Sequence, residues 1–460
     1  MTPELFPYQR EGAAWLAGRD HALLADEMGL GKSAQAITAA DIVQAKRILV
    51  LCPAVARVNW VREFQNFSSL NRSFKILTKA SDSASSDESA VCSYDLADPS
   101  RLPGEWDLLI LDESHYLKSV DAKRTKLVFG RDGFVRRARR VWALSGTPAP
   151  NHPGELWPLL YTFGKTTLNF QDYIKKYCKY YMGPRNDLRV TGARVENIPD
   201  LSNVLKSTML RRKKEEVMKE LPPIRYSHVA VEPGKVDMEI DTSFIKYVFP
   251  IDRTEELKQK LENEQKLLEQ VTTTLGFRSH DMVDSLRVLA NSVSTLRRYN
   301  GLQKVDACVE LILSELEAKA YEKVVIFAIH QGVIEGLRDK FCKRGAKAVT
   351  LYGKTDPATR QRNVDNFMKN PKYKVFIGNI QAAGTAITLT SAHNIVFIEQ
   401  DWVPGNNAQA AMRVHRIGQT KPVHVRVLYL PDTIDEKIAR ILKCKTRDLI
   451  ALFDEGILES

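Results

Sequence analysis

The stretch Ala22–Ala34, with the sequence ALLADEMGLGKSA, predicts a strand, a loop and the start of a helix. Four apolar residues form the buried strand, and a helical pattern follows the loop. Gly29 and Gly31 let backbone N–H groups surround phosphate oxygens at the positive end of that helix. In this setting we expect Lys32 to reach the β- and γ-phosphates of a nucleotide and the Ser33 hydroxyl to bind Mg²⁺. The stretch therefore predicts a phosphate-binding loop in an α/β sheet.

A second predicted strand, at 108–111, ends in the acidic pair Asp112 and Glu113. Ligands of a doubly wound sheet bind at the carboxyl ends of its strands. We expect Asp112 to hold Mg²⁺ and its waters, and Glu113 to polarise the attacking water as general base. The alternative for this pair is the N-cap of a helix.

Two arginines near the far end of the chain, Arg413 and Arg416, lie three residues apart on a predicted helix. At that spacing both guanidinium groups project from one face. Facing a γ-phosphate across a cleft, such a group stabilises the charge of the transition state. A solvated helix face is the alternative, and the phosphate loop and the acidic pair favour the catalytic role.

Short apolar runs alternate with helical patterns in two segments of the chain, which predicts two doubly wound parallel α/β lobes. The segment between the lobes shows no such series of strands. It predicts a loop at 183–187 and a long amphipathic helix at 254–272. We therefore expect a first lobe at 1–157, helical insertions and the inter-lobe linker at 158–300, a second lobe at 301–431 and a C-terminal helical brace at 432–460.

The composition points to a polyanionic partner. The 460 residues include 67 Lys and Arg against 56 Asp and Glu, a formal net charge of +11. A solvated basic surface is the alternative to nucleic-acid binding. The six cysteines lack the spacing of a disulfide framework or a zinc site, and neither a secretory signal nor a membrane span is predicted. We expect a soluble intracellular protein with no membrane partner.

Together these residues resemble the Swi/Snf family of superfamily-two helicase-like ATPases, in motif order over nearly the whole chain. That family carries Asp where this motif I has Asp26. The residues 112–118 and 301–304 are similar to its annealing-helicase-like branch. The similar segments are Phe6–Gly12 (Q motif), Asp26–Ser33 (motif I), Cys52–Trp60 (motif Ia), Asp112–His115 (motif II), Leu144–Pro148 (motif III), Leu210–Val217 with Leu221–Pro222 (linker), Gly384–Thr390 (motif V) and Gln409–Gln419 (motif VI).

The resemblance implies two RecA-like lobes that bind ATP and Mg²⁺ between them. The metal would be held by Ser33 and Asp112, and Gln9 would contact the adenine base. The implied catalytic residues are Lys32, Asp112, Glu113, Arg413 and Arg416. The implied contacts to ATP are Tyr8, Gln9, Glu27, Met28, Gly29, Leu30, Gly31, Lys32, Ser33, Ala34, Gly384 and Gln409.

The resemblance also implies an ATP-dependent translocase on double-stranded or branched DNA. We expect a monomer, in the cytoplasm of a bacterial or phage setting or in a eukaryotic nucleus. The basic cluster between motifs II and III could grip phosphates or be a solvated loop; it comprises Arg131, Arg136, Arg137, Arg139 and Arg140. The candidate DNA contacts are Arg57, Asn59, Trp60, Thr147, Arg211, Arg212, Gln381 and Thr385.

The chain departs from the family pattern at two positions. Ala386 replaces the usual Gly of motif V, and Met412 replaces the usual Asp of motif VI. The second change removes a possible carboxylate partner near the arginines. Neither touches the implied catalytic residues, so we expect hydrolysis.

Two other functions would use the same pocket. One is a strand-separating helicase on RNA or single strands, which the sequence Arg-Ile-Gly-Gln at 416–419 and the helical insertions disfavour. The other is a nucleotide-gated binding subunit whose slow hydrolysis only switches its affinity for a partner.

Overall fold

The computed structural model of the protein describes residues 4–182, 188–218, 220–236, 294–353, 355–383, 387–416 and 418–453. In the first half of the chain the strands are β1 (His21–Leu24), β2 (Ile48–Cys52), β3 (Phe74–Ile76), β4 (Ser89–Ser93), β5 (Trp106–Asp112), β6 (Ala138–Leu144), β7 (Cys178–Met182), β8 (Leu188–Ala193), β9 (Met209–Leu210) and β10 (Ile224–Ala230). The helices are α1 (Pro7–Ala17), α2 (Lys32–Ile42), α3 (Arg57–Phe67), α4 (Lys123–Phe129), α5 (Trp157–Thr162), α6 (Phe170–Tyr177), α7 (Ile198–Lys206) and α8 (Lys214–Val217).

The second half of the chain repeats this alternation of strands and helices. Residues 294–303 are helical and lead into it. The strands are β11 (Val324–Ala328), β12 (Lys347–Leu351), β13 (Tyr373–Asn379), β14 (Asn394–Phe397) and β15 (Val423–Tyr429). The helices are α9 (Val305–Glu317), α10 (Gln331–Lys343), α11 (Pro357–Lys369), α12 (Ile380–Ala383), α13 (Pro404–Ala411) and α14 (Ile434–Phe453).

The strands form two parallel sheets, one in each lobe. The first has the order β3-β4-β2-β5-β6-β1-β9 and the second the order β10-β15-β14-β11-β13-β12. Every strand pair within these two sheets is parallel. The predicted fold class, two doubly wound parallel-sheet α/β lobes, is confirmed.

The apolar runs form strands because helices cover both faces of each sheet. In β2, Leu49 and Leu51 belong to one core of the first lobe, whereas Ile48 and Val50 belong to the core on the opposite face. All five residues of β2 are buried. Because neighbouring residues of β2 enter two different cores, the strand has no solvent-facing polar position. The sequence therefore shows it as a continuous apolar run.

The segment between the lobes holds strands where the sequence predicted none. β7 and β8 pair in an antiparallel hairpin. β9 extends the first sheet beside β1, and β10 extends the second sheet beside β15. β9 has only two residues and β10 is largely exposed, so neither carries a recognisable apolar run. The loop predicted at 183–187 and the helix predicted at 254–272 lie outside the described residues, and the domain boundaries stay predictions.

The helix α14 contacts both lobes. Near its start Ile438 and Leu442 form a small core with Leu296, against which Trp402 packs. At its other end Leu452 and Phe453 join a core of the first lobe. The contacts of this helix therefore connect the two lobes through one continuous helix. Across the described ranges of the chain, no helix has both the length and the apolar character needed to cross a membrane.

Candidate nucleotide site

The glycine loop between β1 and α2 has the backbone that a phosphate-binding loop needs. Gly29 and Gly31 have φ angles of 87° and 73°, in the left-handed region that favours glycine. A Cβ atom on Gly31 would lie 2.3 Å from Nε2 of Gln9, and one on Gly29 would lie 3.2 Å from Cβ of Arg416. The loop is thus approached closely by α1 from its own lobe and by motif VI from the other lobe.

The Lys32 ammonium lies beneath this loop, at the start of α2. It donates hydrogen bonds to the carbonyl oxygens of Asp26, at 2.7 Å, and Glu27, at 3.3 Å. Burial lowers the pKa of Lys32, while the carboxylates of Glu113, Asp26 and Asp112 oppose that shift. The ammonium is therefore held between the loop and the acidic pair.

Asp112 ends β5, and both of its carboxylate oxygens are hydrogen-bonded. Oδ2 accepts a bond of 2.7 Å from Nε1 of Trp60, and Oδ1 accepts one of 3.0 Å from the backbone N–H of Glu113. Burial, followed by the charge of Glu113, raises the pKa of Asp112 to about 7. A cation at this position would stabilise the charged form of the carboxylate.

Glu113 has a φ of 49°, an uncommon backbone angle for a residue with a side chain. Its Oε1 accepts a hydrogen bond of 3.2 Å from Nε2 of Gln409 in the second lobe. Its Oε2 lies 3.4 Å from Nδ1 of His115, and that nitrogen lies 3.0 Å from the Ser145 hydroxyl of motif III. Burial lowers the pKa of His115, which favours the neutral imidazole. Motifs II, III and VI thus meet at one carboxylate.

The two arginines of motif VI do not lie on a helix, which corrects the sequence-based expectation. α13 ends at Ala411, and Arg413 and Val414 then donate backbone bonds three residues back, to Ala410 and Ala411. These tighter turns follow the helix, His415 donates one further bond four residues back to Ala411, and residues 412–416 are turns and bends. The spacing argument from one helix face therefore does not apply to Arg413 and Arg416.

The turns nevertheless place both arginines at the cleft. Burial, followed by Arg416, lowers the pKa of Arg413 to about 10, and the carboxylates of Glu113 and Asp112 oppose this. Arg416 donates 3.0 Å to the Thr388 hydroxyl, and its Cβ faces the glycine loop. The structure thus brings the glycine loop, the acidic pair and the two arginines together.

Two residues of the Q motif are hydrogen-bonded to the glycine loop. The Tyr8 hydroxyl and the Gln9 amide donate to the Leu30 carbonyl, at 3.3 and 3.2 Å. Gln9 also accepts from the backbone N–H of Phe6 at 3.0 Å. Burial, followed by the charge of Asp26, raises the pKa of Tyr8 to about 12. Both residues therefore fix the shape of the loop.

The other predicted ATP contacts differ in what their side chains can offer. Leu30 and Ala34 are buried in the first lobe. The Glu27 carboxylate accepts a 2.8 Å bond from the backbone N–H of Lys214. Met28 is buried against motif III, where a Cβ on Gly146 would lie 2.5 Å from its Cγ. Gly384 lies outside the described residues, as do Thr385 and Ala386.

Two of the predicted DNA contacts, Trp60 and Arg212, are bonded to partners inside the first lobe. Trp60 is 2% exposed and its indole N–H is bonded to Asp112. Arg212 binds the buried Asp26 with two groups, Nη2 at 2.6 Å and Nε at 3.1 Å. The polar groups of both side chains are thus engaged by partners inside the first lobe. A DNA contact for either residue stays a prediction.

The other described DNA candidates divide into two groups. The Arg211 guanidinium donates to the Ala25 carbonyl at 3.1 Å and lies 5.1 Å from the ring of Phe453, so it also has partners within the protein. The second group has exposed or partly exposed side chains and comprises Arg57, Asn59, Thr147 and Gln381. Within it, Arg57 also donates to the Leu77 carbonyl and Gln381 to the Asp401 carboxylate. The basic cluster lies elsewhere, because 138–140 begin β6 at the end of the sheet opposite to Asp112. At about 3.3 Å per residue, the length of β6 places residues 138–140 roughly 20 Å from Asp112.

Two α/β lobes that meet at a glycine loop define a helicase-like class of protein. Residues 8–282 match the family model of the SNF2-related domain, and residues 303–418 match that of the helicase conserved C-terminal domain. The chain therefore belongs to the SNF2-related family of helicase-like ATPases.

Curated relatives are similar over nearly all of the chain. The "SWI/SNF-related matrix-associated actin-dependent regulator of chromatin subfamily A-like protein 1 homolog" of Caenorhabditis elegans is 31% identical over 458 residues, which cover 97% of this chain and 61% of that protein. The "DNA annealing helicase and endonuclease ZRANB3" of Mus musculus is 28% identical over 464 residues, covering 97% of this chain and 40% of that protein. The chain thus spans 61% and 40% of the length of these two relatives.

Among solved structures, the "Sulfolobus solfataricus SWI2/SNF2 ATPase core in complex with dsDNA" is similar, with 20% identity and a TM-score of 0.44. The alignment covers 99% of this chain and 98% of that one.

Proposed function

We propose that the chain is an ATP-dependent translocase on double-stranded DNA, which hydrolyses ATP to ADP and phosphate and remodels branched or protein-bound DNA. The observation that carries this proposal is the approach of Arg416 to Gly29 across the cleft. A nucleotide held by the glycine loop would touch both lobes, so its hydrolysis would change how the lobes meet. A motor needs that link between chemistry and domain motion.

The residues of the site fit Mg²⁺ as well as the nucleotide. The Asp112 carboxylate and the Ser33 hydroxyl supply oxygen ligands, which Mg²⁺ prefers. Burial and the charge of Glu113 raise the pKa of Asp112, and a divalent cation bound beside this carboxylate would favour its charged form. When bound, Mg²⁺ would neutralise charge on the phosphate oxygens.

The side chains then have distinct roles. Lys32 would exchange its bonds to backbone carbonyls for bonds to the phosphates. Glu113, oriented by His115 and Gln409, would take a proton from the attacking water. The guanidinium groups of Arg413 and Arg416 would stabilise the charge that develops on the transferred group.

Support for DNA as the partner comes from charge and from family. The net charge of +11 favours a polyanion. The described candidates for DNA contact with exposed or partly exposed side chains are Arg57, Asn59, Thr147 and Gln381. One relative is named a DNA annealing helicase, which supports DNA for this chain as well. We further propose that the chain acts as a monomer.

The decisive experiment measures ATP turnover with and without duplex DNA. Wild type should be stimulated by the duplex, whereas Lys32→Ala and Glu113→Gln should lose turnover. Glu317→Gln, at an exposed position of α9, is the matched control and should behave as wild type. Equal turnover in all four proteins, indifferent to DNA, would refute the proposal.

Two further readouts separate the other functions that this pocket could serve. A translocase displaces the third strand of a triplex, whereas a nucleotide-gated binding subunit does not. Stronger stimulation by single-stranded RNA than by duplex DNA would favour a strand-separating helicase instead.

A further inference from the structure

Lys214 lies where the two lobes meet, on α8 in the linker that follows β9. Its side chain is 3% exposed. The ammonium donates to the His415 carbonyl at 2.5 Å and lies 2.9 Å from Sδ of Met412. Its backbone N–H donates to the Glu27 carboxylate of motif I. One residue of the linker therefore contacts motif I with its backbone and motif VI with its side chain.

The same ammonium also borders the glycine loop. A Cβ on Gly29 would lie 3.4 Å from Cε of Lys214, 3.6 Å from its Nζ and 3.2 Å from Cβ of Arg416. The carbonyl that Lys214 binds belongs to His415, directly before Arg416. The bond from Lys214 thus fixes the backbone from which Arg416 extends toward the loop.

Among the residues that the structure describes, the groups bonded to this ammonium do not neutralise it. Met412 offers a thioether, which is a weak acceptor. Burial lowers the pKa of Lys214 to about 8; the carboxylate of Glu27 opposes the shift, and the cations Lys32, Arg416 and Arg413 add to it. A buried ammonium without a carboxylate partner is costly, and an apolar side chain of similar length would fill the same space at lower cost. Packing alone therefore does not account for a lysine here.

We propose that Lys214 is a positioning residue that holds the segment of Arg413 and Arg416 against the glycine loop for phosphoryl transfer. This inference rests on the proposed ATPase activity. Because the arginines act on the transition state, the loss of Lys214 should lower kcat and leave the KM for ATP nearly unchanged. Arg413 and Arg416 remain the groups that touch the nucleotide, and Lys214 acts through them.

The test compares variants by DNA-stimulated turnover in the full chain. Lys214→Met keeps the length of the side chain but not the donor, and its kcat should fall at least about tenfold with KM within about twofold of wild type. Lys214→Arg keeps a donor and should recover part of the loss. Lys206→Met, at an exposed lysine that ends α7, is the matched control and should leave both constants unchanged.

A pH profile adds a readout that a purely structural role would not move. Lys214 is charged below its pKa of about 8, so the kcat of wild type should decline as the pH rises through that value. The groups that face it are Glu27, Lys32, Arg413 and Arg416, together with His415, whose pKa is lowered by burial. Met412→Asp should pair with the ammonium and move the decline to higher pH, and Lys214→Arg should abolish it.

The outcomes separate this inference from the proposed function. If wild type lacks turnover, the proposed function fails and the inference fails with it. If wild type turns over ATP and Lys214→Met has the same kcat, the inference alone is overturned. A fall in melting temperature without a change in kcat would likewise overturn it, because it would assign Lys214 a structural role. If Lys214→Met does not fold, the shifted pH profile of Met412→Asp decides, and an unchanged profile counts against the inference.

Discussion

Replacing Arg212 by Met should destabilise the first lobe. The Asp26 carboxylate has no exposed surface. It accepts two bonds from Arg212, at 2.6 and 3.1 Å, and one from Nε2 of Gln35, at 3.0 Å. Arg212→Met removes both guanidinium bonds and leaves a buried charge with one amide donor. Because the partner charge is lost while the buried carboxylate remains, the cost exceeds that of a lost hydrogen bond.

The expected magnitude follows from the burial of the pair. Removing one partner of a buried ion pair costs about 3–5 kcal/mol. In an α/β lobe of this size, that loss lowers the melting temperature by on the order of 10 °C. Thermal unfolding of the intact chain, followed by circular dichroism, measures the shift. Duplex-DNA affinity at fixed salt should change little in whatever fraction remains folded.

The control is an arginine on the surface. Arg10 lies 3.5 Å from Glu4, and the two side chains are 57% and 86% exposed. Such a pair contributes about 0–1 kcal/mol, so Arg10→Met should shift the melting temperature by about 3 °C at most. A stable Arg212→Met protein with weakened DNA binding would refute this reasoning and restore Arg212 as a DNA contact.

Three other substitutions test the geometry of the site. Trp60→Phe removes the indole donor to Asp112 and should lower Mg²⁺ affinity or ATP turnover by about 10–100-fold. The control Trp142→Phe loses a bond to the Arg19 carbonyl, which is remote from the cleft, and should lower stability only. Gly29→Ala should weaken ATP binding in a filter assay, because its Cβ would lie 3.2 Å from Cβ of Arg416 in motif VI. Gly164→Ala has a similar positive φ with open space around it and should bind ATP as wild type does. Gln409→Ala should reduce steady-state kcat by about tenfold or less, since it removes one neutral donor to the motif II glutamate; full activity would show that this contact between the lobes is dispensable.

The sequence predicted the two sheets because their buried strands are continuous apolar runs. It missed β9 and β10 because an edge strand needs backbone partners more than an apolar pattern. β10 has five exposed residues out of seven, yet it pairs along its whole length with β15. This pairing depends on the path that the chain takes from the first lobe to the second sheet, and a local sequence pattern does not predict that path.

Individual side chains of the site were predictable as members of motifs but not as contacts. Arg211 and Arg212 are neighbours in the sequence, and both were expected on the DNA face. In the structure one binds main-chain carbonyls and the other binds a buried carboxylate, because their shared segment runs beside β1. Lys214 is separated from Met412 by 198 residues, so its role depends on how the lobes meet.

The contacts beside the glycine loop indicate how a nucleotide could move the lobes. Gln409 binds Glu113 and Lys214 binds the His415 carbonyl, and both bonds join one lobe to the other. A single hydrogen bond contributes a net of about 0.5–1.5 kcal/mol, or up to about 3 kcal/mol with a charged partner. Such contacts are weak enough to break when the two lobes separate and to form again when the lobes close. A cleft closed by buried apolar surface would resist that exchange, because each opening would expose the surface to water. Polar contacts at this site are therefore compatible with the proposed motor, whose lobes would open and close in every cycle.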